Sequence, residues 1–120
     1  MAVARLDHGA ALLPNGDVLV AGGSTPLVNL SSAELYHPST NTWTMTGSLL
    51  RSRTGFAKAQ LQNGSAIIAG GQSVPQDDSE LYNPATGRWS LAAPYPGFAT
   101  SFLVTLTDGS VLALGGGSAL

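Results

Sequence analysis

Ala33-Glu34-Leu35-Tyr36-His37-Pro38-Ser39-Thr40-Asn41-Thr42-Trp43 comes back 46 residues later as Ser79-Glu80-Leu81-Tyr82-Asn83-Pro84-Ala85-Thr86-Gly87-Arg88-Trp89. In both copies Glu-Leu-Tyr alternates in a strand-like way and is closed by a proline two residues after the tyrosine. A run of turn-forming residues then leads to a tryptophan that opens the next strand. Ser31-Ser32-Ala33-Glu34 also fits a helical capping box, but Pro38 would stop such a helix after about one turn, so the strand is preferred. Each tyrosine is expected to pack near the tryptophan of its own copy.

Working outward, the same order of markers recurs. Gly22-Gly23 returns as Gly70-Gly71 and Gly115-Gly116, at offsets of 48 and 45 residues. Asn15-Gly16 returns as Asn63-Gly64 and then as Asp108-Gly109 at the same two offsets. Asn-Gly and Asp-Gly favour a type I′ hairpin turn, so each should join a first strand (A) to a second (B). The paired arms are Ala10 to Leu13 with Val18 to Ala21, Lys58 to Leu61 with Ala66 to Ala69, and Val104 to Leu106 with Val111 to Leu114. Runs this apolar are expected to be buried on both faces. A glycine pair ending every B strand implies a backbone geometry or close approach that a Cβ would forbid. Strand C carries the Glu-Leu-Tyr and strand D the tryptophan, so a four-strand unit repeats about every 46 residues.

Composition agrees with many short strands and tight turns. Of 120 residues, 43% are hydrophobic and only 10% charged, against roughly 25% in an average soluble protein. There are 15 glycines and 7 prolines. The net charge is −2 and Arg5, Arg51, Arg53, Lys58 and Arg88 are scattered, so the electrostatic footprint of a nucleic-acid binder is missing. With no cysteine, the chain has no disulfide, thiolate metal site or cysteine nucleophile. The longest apolar runs fall far short of the ~20 residues of a membrane helix. Met1 to Arg5 shows no secretory pattern, and the compartment stays open.

The order Arg-x-x-His, Asn-Gly, apolar strand, Gly-Gly, Ala-Glu-Leu-Tyr-x-Pro-x-Thr-x-x-Trp resembles the kelch repeat, in its bacterial-type multi-repeat form. The resemblance implies an all-β propeller of four-stranded antiparallel blades. Blade 1 would span residues 1–47 and blade 2 residues 48–93, with the first hairpin of a third in 94–120. Met1 falls in register with Leu49, where such units often carry methionine. The third unit departs from the pattern, with Phe98 in the place of Arg5 and Arg53, and Phe56 stands where His8 stood. Propellers generally need four to eight blades, so two and a half leave an incomplete ring. A piece of a longer propeller is expected in preference to a self-assembling protein, and open blade faces are a place for self-association.

The resemblance implies a non-catalytic scaffold for protein or small-ligand binding, since the B–C and D–A loops share one face of such a disc. Asn29, Arg51, Arg53, Gln72, Gln76, Asp77 and Asp78 lie in those loops and are the candidate contact residues, the alternative being ordinary solvated polarity. The rival class is an enzyme like the galactose-oxidase propellers, whose copper and cysteine-linked tyrosine would have to lie outside this segment. Neither a cofactor nor a metal site is expected. His8 has no second histidine or carboxylate pair at ligand spacing, and His37 reads as a turn residue. Asp77-Asp78 lacks the further oxygens of a calcium site. The glycine pairs are not phosphate loops. Arg5 and Arg53 are expected to form structural salt bridges with Glu34 and Glu80 rather than to bind substrate. Asn29-Leu30-Ser31 and Asn63-Gly64-Ser65 fit the glycosylation sequon, which matters only in a secreted protein.

Overall fold

A computed structural model describes residues 1–61, 63–70, 79–92 and 100–115. Ten strands follow one another: β1 (Gly9–Leu12), β2 (Val18–Ala21), β3 (Ala33–His37), β4 (Thr42–Thr46), β5 (Ala57–Gln60), β6 (Ala66–Ala69), β7 (Ser79–Asn83), β8 (Arg88–Leu91), β9 (Thr100–Thr105) and β10 (Val111–Gly115). Pairing is antiparallel between chain neighbours throughout, giving sheets β1-β2-β3-β4 and β5-β6-β7-β8 and the hairpin β9-β10. The described residues are therefore all-β, with two four-stranded antiparallel blades and the first hairpin of a third, and they do not close into a ring. The segment with the capping-box pattern is strand β3.

Register explains which side chains do what. Leu12, Val18, Tyr36 and Trp43 stand opposite one another across the first sheet, as do Ala10, Val20, Glu34 and Met45. The reverse face carries Ala11, Leu19 and Leu35, with Ala21 and Ala33. In the second sheet the face bearing Ala66, Ile68, Tyr82 and Trp89 packs on that alanine- and leucine-rich side of the first. Side chains on both walls are small or flat, so two twisted sheets approach closely and leave only a small apolar void beside Gly9, Leu19 and Trp89.

The expected burial of inner strands on both faces fails at parts of the first sheet that no neighbouring blade covers, although Val20 on that side is buried. Leu12 is 61% exposed on the open side of the first sheet, whereas Ala66 and Ile68 on the covered side of the second are buried. Pairing, not burial, forms β1, because its partner β2 supplies every ladder bond.

The A–B turns correct the type I′ expectation. Gly16, Gly64 and Gly109 have φ near +90°, but Asn15, Asn63 and Asp108 are not at positive φ. Gly16 N donates to Leu13 O at 2.9 Å and Leu13 N to Asp17 O at 2.8 Å, the bonds of a type I turn followed by a bulged glycine. The side chain decides the difference: Asn15 Oδ1 accepts Asp17 N, Asn63 Oδ1 accepts Ser65 N, and Asp108 Oδ1 accepts Ser110 N, all at 2.9–3.0 Å. A residue that hydrogen-bonds two positions ahead caps the turn itself and leaves only the glycine to take the positive angle.

Candidate functional site

The first and second blades are each closed by a buried ion pair that clamps the segment leading into the blade. Arg5 Nη2 lies 2.9 Å from Glu34 Oε2, and Arg53 Nη2 lies 2.6 Å from Glu80 Oε2, all four side chains essentially sealed from solvent. The Arg5 fork also donates to Gly22 O at 2.9 Å and Ser32 O at 2.8 Å, and Arg53 donates to Gly70 O at 3.0 Å. The carboxylates hold the incoming backbone in turn. Glu34 accepts from Ala2 N at 2.7 Å, and Glu80 accepts from Leu50 N at 2.6 Å and Arg51 N at 3.4 Å.

A planar guanidinium suits this place because it reaches a carboxylate and a strand-ending carbonyl at once. Burial pushes the Glu34 carboxyl up, but the hydrogen bonds from Ala2 N, Arg5 and Val3 N, with the Arg5 charge, outweigh it and hold the group below its ordinary 4.5.

Arg53 is thus a correction to the candidate contact set: it is 0% exposed and ties blades together, so it cannot meet a ligand at the surface. Its side chain serves blade 2, while its carbonyl accepts Gly23 N at 2.8 Å and its amide donates to Leu30 O at 3.2 Å, both in blade 1. Gly22 takes φ +63° beside it, and a Cβ there would stand 2.7 Å from Arg53 O, which is the close approach expected of the glycine pair.

Arg51 is exposed in the linker from β4 to β5. Asn29 is half-buried and bridges to Ser24, which itself bridges to Leu6. Leu49 N donates to Ser31 O at 2.7 Å, so the linker runs along the loop between β2 and β3, as the shared-face expectation required. Gln72, Gln76, Asp77 and Asp78, with Gly71 and Gly116, lie outside the described residues.

What the polar candidates missed is apolar. Leu27 is 90% exposed and Val28 is also exposed, at the tip of the loop from β2 to β3. The tip is cross-braced by its own hydrogen bonds. Thr25 N donates to Val28 O at 2.9 Å, and Thr25 Oγ1 accepts from Leu27 N at 3.2 Å and Val28 N at 3.1 Å. Leu6, which bridges to Ser24 ahead of β1, is exposed as well. The signal was present in Thr25-Pro26-Leu27-Val28, a hydroxyl and a proline setting two apolar residues in a turn.

On the opposite turns, His37 ends β3 rather than lying in the turn after it. His37 Nδ1 is 3.0 Å from Asp17 Oδ2, and Nε2 is 2.8 Å from Thr44 Oγ1. The order carboxylate, imidazole, hydroxyl is that of a nucleophilic relay. Here it clasps the A–B turn to β3 and β4, and in the second blade Ser65, Asn83 and Ser90 hold the three places. Among the described residues no group of three or more histidines, cysteines or carboxylates gathers at metal-binding range.

The aromatic pairs sit as expected, Tyr36 with Trp43 and Tyr82 with Trp89, ring centroids 5.0 Å apart in both. Their surroundings differ. Trp43 is 37% exposed and Trp89 7%, because only the second pair has a blade against it. The difference is roughly 75 Å² of ring surface, or about 2 kcal/mol of burial.

Residues 5–50 match the family model described as the kelch motif, from the buried arginine of blade 1 to the linker beyond β4. Over 73 residues the chain is 48% identical to an F-box/kelch-repeat protein of Arabidopsis thaliana, an alignment covering 59% of this chain. The chain spans 19% of the length of that relative.

Proposed function

We propose that this chain, which carries a kelch motif over residues 5–50, serves as a non-catalytic binding scaffold within a longer propeller, meeting a protein partner through the loops β2–β3 and β4–β5. The single observation that carries the reading is the Leu27-Val28 tip, two apolar side chains held in solvent by Thr25 on a base clamped by Arg53. An apolar anchor that is already ordered loses little entropy when it enters a partner's pocket, and such anchors dominate protein interfaces. Asn29 and Arg51 flank it and supply the polar rim. Kelch-repeat proteins commonly bind proteins, which supports the same reading.

Two features support the absence of catalysis in this segment. The strongest charge pairs, Arg5–Glu34 and Arg53–Glu80, are sealed from any substrate. A cysteine-linked tyrosine of the galactose-oxidase kind needs a cysteine, and these 120 residues contain none.

The test uses the longer protein from its source, captured with chemical cross-linking. A partner cross-linked by the wild type should be lost from the Leu27→Asp/Val28→Asp double variant and weakened by Arg51→Ala. It should be retained by Asn63→Ala, on the opposite turns. Equal loss from all three, or copper-dependent oxidase activity in the longer protein, would overturn the proposal.

A further inference from the structure

The tip of the loop between β2 and β3 turns on Thr25, and Thr25 is also the one hydroxyl residue of the chain that precedes a proline. The other prolines follow Leu13, His37, Val74, Asn83, Ala93 and Tyr95. Pro26 has no N–H, so the first main-chain donors after Thr25 are those of Leu27 and Val28. Both are aimed at Thr25 Oγ1, at 3.2 and 3.1 Å, while the hydroxyl's own donation to Val28 O is long at 3.4 Å. The oxygen is therefore an acceptor twice and a weak donor once. Two converging amides bind more strongly when the group they meet carries negative charge, and only the weak donation is given up when the hydroxyl proton leaves.

The same segment is open to an enzyme. Pro26, Leu27 and Val28 are exposed, and the three bonds of the hydroxyl are all at the surface. Exposed bonds of this kind are cheap to open, and a residue ahead of proline is already biased towards extended backbone, the form in which a peptide enters a transferase cleft. Among the described residues the hydrogen bonds of Thr25 stay within positions 25–28, so presenting it disturbs neither the Arg53 clamp nor the sheet behind it.

We propose that Thr25 is a phosphorylation site for a proline-directed protein kinase, and that the phosphate, held by the amides of Leu27 and Val28, switches the tip from docking to release. Thr25 Oγ1 forms a bond to the γ-phosphorus of a nucleoside triphosphate, the bond from that phosphorus to the bridging oxygen breaks, and the nucleoside diphosphate leaves. The hydroxyl proton passes to the base of the kinase. The product carries a charge of about −1.5 to −2 within the same turn as the two apolar side chains. Entering an apolar pocket then means stripping water from a phosphate, which opposes the burial of Leu27 and Val28. The tip becomes better braced and less able to dock. The inference rests on the docking role proposed above for Leu27 and Val28 and supplies its control.

The full chain incubated with ATP and a proline-directed serine/threonine kinase should take up phosphate at Thr25, located by fragment mass spectrometry. Pro26→Ala should abolish the transfer while keeping the hydroxyl. In the modified chain the Leu27 and Val28 amides should exchange with solvent roughly fivefold more slowly, because charge-assisted hydrogen bonds are about twice as strong as neutral ones. The longer protein phosphorylated at Thr25 should lose the cross-linked partner that the unmodified protein captures, and phosphatase treatment should restore it. Phosphate absent from Thr25, transfer unaffected by Pro26→Ala, or amide exchange unchanged by the modification would each overturn the phosphate site. Capture undiminished by the phosphate, in a protein whose Leu27→Asp/Val28→Asp variant loses the partner, would overturn the switch alone. Capture retained by that variant would overturn the docking role and the switch with it, while the mass and exchange measurements still decide the phosphate site.

Discussion

Replacing Glu80 by alanine should be among the most damaging single changes in the chain. Glu80 accepts from Arg53 at 2.6 Å, both side chains closed to water, and from the partly buried amides of Leu50 and Arg51. Removing it takes away the carboxylate that balances the buried Arg53 guanidinium, which still donates to Gly70 O, and frees the linker where it enters blade 2. Breaking a buried pair from one side costs about 3–5 kcal/mol, against a total stability of about 5–15 kcal/mol for an ordinary domain. Urea unfolding followed by tryptophan fluorescence should therefore show a midpoint lowered by about a fifth or more of its wild-type value, with an unchanged slope. The double replacement Arg53→Met/Glu80→Leu should recover most of the loss, since neither charge is then stranded. A cost below about 1 kcal/mol for Glu80→Ala, or a double variant no better than the single, would refute the claim that desolvation of an unpaired charge is the dominant effect.

Acid should act on the equivalent pair in blade 1. The Glu34 carboxyl is held below its ordinary 4.5, so its contribution is complete above that value and disappears as pH falls through the lowered one; Glu34→Gln should flatten this limb in pH-dependent melting. At the third A–B turn, Ser110→Ala should move the Asp108 carboxyl up towards its ordinary 3.8, because the Ser110 hydroxyl and amide hold it down; an NMR titration reads the shift. Gly22→Ala should cost more than about 1 kcal/mol, being at positive φ against Arg53 O, whereas Gly55→Asp should cost less than that. Nothing lies within 4 Å of a Cβ at Gly55, and Asp7 already takes φ +52° at the corresponding position, so thermal melting of the two variants should separate clearly.

Strand identity and order were legible because the repeat supplies its own alignment. Glu34-Leu35-Tyr36 and Trp43 have one physical explanation that also serves Glu80-Leu81-Tyr82 and Trp89, and both pairs take the expected contact. The pairing of Arg5 with Glu34 and of Arg53 with Glu80 was legible for the same reason. Its consequence for Arg53 was not, since a loop position is ordinarily a surface position and only packing reveals that the β4–β5 linker is pinned beneath its neighbours. The turn type was misjudged because Asn-Gly is compatible with two hairpin geometries, and the choice lies in whether Asn15 spends its side chain on Asp17 N. The exposure of Leu27 and Val28 was not legible, because an apolar pair after Thr25-Pro26 is equally compatible with packing inward. The exposure of Leu12 and Trp43 depends on a neighbouring sheet, which no local pattern in β1 or β4 encodes.

Strands here pair only with the strands before and after them in the chain. Loop closure is correspondingly short, so each sheet can nucleate on its own from hairpins and then recruit the next, as in a one-dimensional array with nearest-neighbour coupling. The Gly47 contacts with Gly87 and Trp89 are that coupling, which makes the terminal sheets the first to fray and places the most slowly exchanging amides along the seam between β1–β4 and β5–β8.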